Sequence, residues 1–372
     1  MHRTIKYLTV LALVLLAVAL VTGYQYATRQ SVIVPHIRTD IPESAPLVST
    51  QTFPFESGTA TISVPVDASV YYGAKNTSKW VSIYGNVSES TWVSDSFRAM
   101  VEDPAQDQLF NDLTAQFRNI KDQQGLSDDE YLELMAAYTQ SFPYVFTGSP
   151  AKYPVETVVD RTGDCADKSL LLAGLLSHEG YKVALLVFSP ESHMALGVGS
   201  TDFLYRGTGY AYLETTNLSF VGIPPDELDN PTVGDMTLQS YPLIIPIGNG
   251  TKLYSSGAET RYIEDADNRS QQNAKLLTDK ITPLQPGLTA EQDQIAELEA
   301  RMQQLRSAGN IAGYNSQVSE YNALVAGYNV QITSYQQLVA QYDQYAALHN
   351  YIISHAYDRP GVYAYVTAHL PS

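Results

Sequence analysis

The sequence predicts an α+β domain, with a central helix packed on an antiparallel sheet, followed by an α-helical coiled-coil hairpin. Three observations carry this expectation. The run "SLLLAGLLS" (169–177) is apolar nearly all round, as a buried helix must be. After it come three β-type runs separated by turn residues, "YKVALLVFS" (181–189), "HMALGVGS" (193–200) and "FLYRGTGYAYLETT" (203–216), the order of an antiparallel meander. In the last third, Tyr314, Tyr321, Tyr328, Tyr335 and Tyr342 recur every seven residues.

Taken from the N-terminus, His2, Arg3 and Lys6 precede an uncharged apolar stretch, "YLTVLALVLLAVALVTGY" (7–24). Its 18 residues sit at the lower limit for crossing ~30 Å of hydrocarbon. Residues 1–24 are therefore expected to be a transmembrane anchor, giving a single-pass cell-membrane protein with an extracytoplasmic domain. A cleaved signal peptide on a secreted chain is the alternative, because Val21, Thr22 and Gly23 are small enough for a cleavage point. N-x-S/T tripeptides at Asn76, Asn86, Asn217, Asn249 and Asn268 suit an exported glycoprotein. Residues 25–60, rich in Ser, Thr and Pro, read as a linker or stalk.

A globular domain is expected over 61–260, with its core at 125–225. Short alternating runs at 60–73 and 79–88 suggest strands, and helical signals begin near Ser94. Ser127 and Glu130 form a capping box ahead of an apolar-periodic run that Pro143 ends. Residues 261–372 form the helical region. There "TPLQPG" (282–287) breaks the chain, Thr289 and Gln292 suggest a second capping box, and Ile295, Leu298, Met302 and Leu305 follow at helical spacing. Beyond Gly309 and Gly313, Val318, Val325, Ile332 and Val339 share a seam with the tyrosines. The pattern predicts a helical hairpin with a helix from about 315 to 356. Its tyrosines pad the seam with their hydroxyls at the solvent edge, and a coiled-coil partner or self-association is expected.

Composition excludes several function classes. With 22 Lys+Arg against 39 Asp+Glu, the net charge of −17 opposes binding to nucleic acid. One cysteine rules out an internal disulfide framework and a Cys-rich zinc site. No phosphate-binding loop, dinucleotide fingerprint or H-E-x-x-H motif is present, and the histidines lack metal-ligand spacing, so no cofactor and no metal are expected.

The residues with chemistry are Cys165, His193 and Glu214. Asp164 is a good N-cap and Asp167 stands at the third helical position, so Cys165 opens the central helix with its thiol at the positive end of the helix dipole. Asp164 and Asp167 oppose a thiolate there, so a cationic or imidazole partner is required. His193 begins a strand whose alternation sets it with Ala195, Gly197 and Gly199, apart from Met194, Leu196 and Val198. On the next strand Glu214 shares a face with Tyr210, Tyr212 and Thr216, where it can orient the imidazole. The bland readings are an inert buried thiol, an ordinary strand histidine, and a Glu214 paired with Arg206.

The segment "YPVETVVDRTGDCADKSLLLAGLLSHEGYKVALLVFSPESHMALGVG" (153–199), followed by "YLETTN" (212–217), resembles the transglutaminase-like superfamily, including its microbial cysteine-peptidase-like branch. The resemblance spans about residues 125–225. It implies a papain-like domain in which Cys165 is the nucleophile, His193 the base and acid, and Glu214 the orienting group. The family usually carries Asp at the third position, one methylene shorter than Glu214. The resemblance thus implies a thiol acyl-transfer enzyme, a cysteine peptidase or amidase acting on peptide or carboxamide substrates. The backbone N–H of Cys165 is the default oxyanion donor, with Gln140 and Tyr153 as further candidates. An anchored chain with a tyrosine-heptad arm is also similar to surface proteins of methanogenic archaea. A non-catalytic surface scaffold or adhesion protein that keeps the fold is the alternative function.

Overall fold

A helix without a polar face has to be surrounded, and residues 165–178 are: Leu170, Leu171, Leu172, Leu175 and Leu176 are all fully buried. The computed structural model describes residues 13–24, 30–40, 45–148, 150–230 and 234–371. Two units result, Met1–Ala258 and Glu259–Ser372.

In the first unit the elements run α1 (13–24), β1 (Ser31–Ile33), β2 (Leu47–Phe55), β3 (Gly58–Val66), α2 (Ala68–Asn76), β4 (Ser82–Tyr84) and α3 (Glu89–Val101). A 3₁₀ turn at Pro104–Gln106 leads into α4 (Asp107–Gln124), α5 (Asp128–Gln140), α6 (Pro154–Asp160) and α7 (Cys165–His178). The strands β5 (Val183–Phe188), β6 (His193–Gly199), β7 (Tyr210–Leu213), β8 (Leu228–Asn230), β9 (Gly234–Met236) and β10 (Leu243–Ile247) follow. This is a mixed α+β architecture with small antiparallel sheets.

The largest sheet has the order β10-β5-β6-β7, antiparallel throughout. Met194, Leu196 and Val198 on β6 join the core around α7, while Ala195 packs with Leu186, Phe188, Tyr205 and Tyr212 on the other side. The two-residue period of the strand thus divides the domain into two apolar layers. Helix α4 crosses α7 where Gly174 admits the Phe110 ring, whose Cζ would lie 2.3 Å from an added Cβ.

Several expectations need correction. Of the apolar N-terminal stretch, residues 1–12 lie outside the described residues, and 13–24 are helical. No helix among the described residues is long and apolar enough to cross a membrane. This contradicts the expected single-pass transmembrane anchor. The stretch expected to be a stalk instead contains β2, paired with β3 from Leu47↔Val66 to Phe55↔Gly58. Phe53, Phe55, Ile62 and Val64 of this hairpin are buried, while hydroxyl pairs Thr50–Ser63 (2.8 Å) and Thr52–Thr61 (2.9 Å) line its outer face. Threonine favours strands as readily as it populates linkers. The run 203–216 yields only the four-residue β7, because Phe203, Arg206, Gly207 and Gly209 all take positive φ.

In the second unit, α8 (Gly257–Ile281), α9 (Leu284–Ser307), α10 (Ile311–Ser354) and α11 (Arg359–His369) follow one another. Helices α9 and α10 form an antiparallel hairpin through a turn in which Gly309 has φ 72° and the Asn310 side chain accepts from the Gly313 N–H at 2.9 Å. Gln285 donates to the Tyr335 hydroxyl at 2.9 Å and Gln331 to Glu291 at 2.6 Å, which fixes the register. All five heptad tyrosines are half-buried. "TPLQPG" separates two helices as expected, α8 ending at Ile281 and α9 starting at Leu284, while Pro286 falls in the first turn of α9, where a missing N–H costs no hydrogen bond. Thr289 is consequently internal, and its hydroxyl donates to the Gln285 carbonyl (3.0 Å) rather than capping a helix.

Leu172→Ala, at the centre of α7, is expected to lower the unfolding free energy by about 2–5 kcal/mol. Val48→Thr, on the exposed face of β2, should change it by no more than about 0.5 kcal/mol. Denaturant titration of the two variants checks both.

Candidate active site

The approach to α7 sets the thiol. Gly163 donates to the Pro143 carbonyl (3.3 Å) and accepts from the Val145 N–H (3.1 Å), pinning the segment before the helix. A Cβ on Gly163 would lie 2.7 Å from the Asp167 Cβ, so only glycine permits this close approach. Asp164 Oδ1 accepts from the N–H groups of Ala166 (3.0 Å) and Asp167 (3.1 Å), and Asp167 Oδ2 accepts from the Asp164 N–H (3.2 Å). Asp167 Oδ1 accepts from the Lys152 N–H at 2.7 Å. Burial, reinforced by the charge of Asp164, pushes the Asp167 carboxyl up to about 6. Cys165 is half-buried at the first position of α7. Among the described residues no protein group accepts from its N–H, since the cap serves the two amides after it.

The histidine is set by a turn. Ser192, at φ 49°, donates to the Ser189 carbonyl (3.2 Å) and closes the β5–β6 hairpin, so that Phe188 pairs with His193. Glu191 anchors this turn by accepting from the N–H groups of Gln239 (2.9 Å) and Ser240 (2.7 Å). His193 Nε2 lies 3.2 Å from Glu214 Oε2 and 3.2 Å from the Tyr212 hydroxyl, which itself donates to Glu214 Oε2 at 2.7 Å. Glu214 Oε1 accepts from the N–H groups of Thr215 and Thr216, both 2.9 Å, and from the Thr216 hydroxyl at 2.8 Å. Both oxygens of this buried carboxylate are therefore occupied, as an ionised group in a dry site requires.

Burial opposes both charges, yet the pair sustains them. For His193, the side chains of Cys165 and Glu214 outweigh desolvation and hold the imidazolium up to about 10. For Glu214, the bond and charge of His193, then Tyr212 and the Thr216 N–H, outweigh desolvation and bring the carboxyl down to about 2. With Nε2 engaged by Glu214, Nδ1 is the ring nitrogen left for the thiol side.

Thr215 ties strand to helix: its hydroxyl donates to the Cys165 carbonyl (3.4 Å) and meets the Ser169 hydroxyl (3.0 Å), which donates to the Met194 carbonyl (3.3 Å). Cys165, His193 and Glu214 all face one cavity of about 400 Å³, walled further by Tyr144, Asn217 and Asp226. The structure brings all three expected residues together here. It does not bring Gln140 or Tyr153. The Gln140 amide is committed to the carbonyls of Glu214 (2.7 Å) and Ser219 (3.1 Å), and the Tyr153 hydroxyl is buried in the core without a hydrogen-bond partner. Neither is an oxyanion donor. Arg206 does not pair with Glu214 either, since its guanidinium donates to the carbonyls of Leu238, Gln239 and Ser240.

Tyr212, Thr215 and Lys168 were not singled out by sequence reasoning. Tyr212 was signalled by sharing the face of Glu214, and Lys168 by being a lone cation in an apolar helix. Among the described residues no group of three or more His, Cys, Asp or Glu side chains is arranged to hold a metal. No protein-family model, curated protein or solved structure matches this chain.

The raised histidine has a thermodynamic consequence. A group whose folded pKa exceeds its unfolded value stabilises the fold fully below about 6.5, and that contribution disappears as pH rises toward about 10. In Glu214→Gln the His193 midpoint should fall by more than one unit, and the alkaline loss of stability should be smaller and complete at lower pH. Imidazole NMR titration and thermal melts between pH 6 and about 10 read the two effects.

Proposed function

We propose that this chain is a transglutaminase-like thiol acyl-transfer enzyme, a cysteine peptidase or amidase acting on peptide or carboxamide substrates, with a papain-like arrangement of its α+β core. The observation that carries the reading is the shared wall of one cavity: a thiol at a helix N-terminus, an imidazole beginning a strand, and a carboxylate 3.2 Å from that imidazole. Independent structural uses of a cysteine, a histidine and a glutamate do not require convergence on one open space.

In the proposed reaction the Cys165 sulfur attacks the substrate carbonyl carbon and the carbonyl π electrons move onto oxygen. The Cys165 N–H, left unused by the N-cap, donates to that oxygen. As the C–N bond breaks, the His193 imidazolium gives its proton to the departing amine, leaving a thioester and a neutral imidazole. Water then attacks the thioester while His193 takes its proton, the C–S bond breaks, and carboxylic acid and thiolate are released. Glu214 and Tyr212 hold the ring orientation through Nε2 in both steps. An amine in place of water would give amide exchange through the same thioester.

The full-length chain should be alkylated by iodoacetamide at Cys165 faster than a free thiol at neutral pH, and His193→Ala should slow that reaction by at least about tenfold. Against a peptide-amide library, Cys165→Ala should abolish turnover and His193→Ala should lower kcat/KM by about 10²–10⁴. A thiol that labels slowly and indifferently to His193 would sink the reading and leave the fold with a binding role.

A further inference from the structure

The proposed site leaves a charge imbalance. Thiolate, imidazolium and carboxylate together carry one uncompensated negative charge in a region where His193 and Glu214 are both nearly inaccessible. An isolated charge in such surroundings is costly. One turn below Cys165 on α7 stands Lys168, itself completely buried.

Its ammonium donates to three backbone carbonyls, those of Gln140 (3.0 Å), Phe142 (2.8 Å) and Thr216 (2.9 Å). These exhaust its three protons. Among the described residues no carboxylate is bonded to it, which is unusual for a lysine with no solvent exposure. Glu214 is the ionisable group whose charge acts on it, through space. The other charged groups nearby are engaged elsewhere: Asp164 and Asp167 with the helix cap and the Lys152 N–H, and His193 with Glu214.

We propose that Lys168 is a positioning residue of the thiol site: its ammonium compensates the surplus negative charge of the Cys165–His193–Glu214 constellation and clamps residues 140–142 to residue 216 beneath the thiol. The inference rests on the acyl-transfer reading and adds a fourth charged member to it. A purely structural clamp needs only the three hydrogen bonds; a charge-compensating one must also respond when a neighbouring charge is removed. Burial lowers the Lys168 ammonium to about 8, with Glu214 opposing the drop, so its titration falls in an accessible range.

The test is NMR of lysine Nζ and Cε nuclei in the full-length protein, titrated before and after carboxamidomethylation of Cys165 and in Glu214→Gln. The Lys168 midpoint should fall by about one unit in Glu214→Gln, and by less, in the same direction, on alkylation. In Lys168→Met, the pH at which iodoacetamide reactivity rises should move upward, whereas loss of a structural clamp alone would lower the rate equally at every pH. If Lys168→Met does not fold, the titrations of the native chain and Glu214→Gln decide. A reactive thiol accompanied by a Lys168 midpoint that ignores both perturbations overturns this inference and leaves acyl transfer standing. A thiol that resists alkylation overturns acyl transfer, and the charge-compensating role with it.

Discussion

Helix α7 has no face to give to water, and that constraint organises residues 1–258. Between Leu170 and Leu176 every leucine is buried, so helices α4, α5 and α6 and strands β5 and β6 each spend an apolar surface on it. The same constraint dictates where chemistry is possible. A helix enclosed along its length reaches polar surroundings only at its ends, and the N-terminal end is the one with unpaired amides and a positive dipole. Placing a cysteine there, and a capping aspartate before it, puts the thiol at the end of a helix enclosed along its length.

Position alone does not make a site; the charges also have to be tolerable. Glu214 shows how. Its longer side chain, compared with aspartate, lets one oxygen engage the two amides and hydroxyl that follow it while the other holds His193 and Tyr212. The carboxylate is thus fixed by its own backbone before it meets the imidazole. Thr215 then joins this segment to the first turn of α7. The methylene by which Glu214 exceeds an aspartate is taken up by this local turn.

How much of this was legible in the sequence depended on the range of the interaction. The positions of Cys165 and His193 follow from a helix cap and a strand alternation, both patterns contained within a few residues. The tyrosine seam of α10 was legible for the same reason. Gln140 and Tyr153 could not be assigned correctly, because what commits the Gln140 amide lies more than seventy residues away in sequence. Lys168 was passed over because sequence periodicity does not separate a lysine at the end of an apolar run from a solvated one. For the N-terminal stretch, hydropathy alone suggested a span, but no helix among the described residues is long and apolar enough to cross a membrane. Thr289 was misjudged because Ser and Thr bond to helix carbonyls inside a helix as well as to amides at its start.

The clamp beneath the thiol also has a kinetic meaning. Most groups that orient the constellation, from Gln140 to Ser219, belong to one continuous stretch of chain whose internal bonds join residues separated by between 1 and 79 positions, while Gln239 and Ser240 anchor the Glu191 turn from outside it. These separations are smaller than the 109 positions between Ser49 and Val158, which bond β2 to α6, so the stretch has the lower contact order of the two. The bonds that orient the site thus close smaller loops than those that tie β2 to α6.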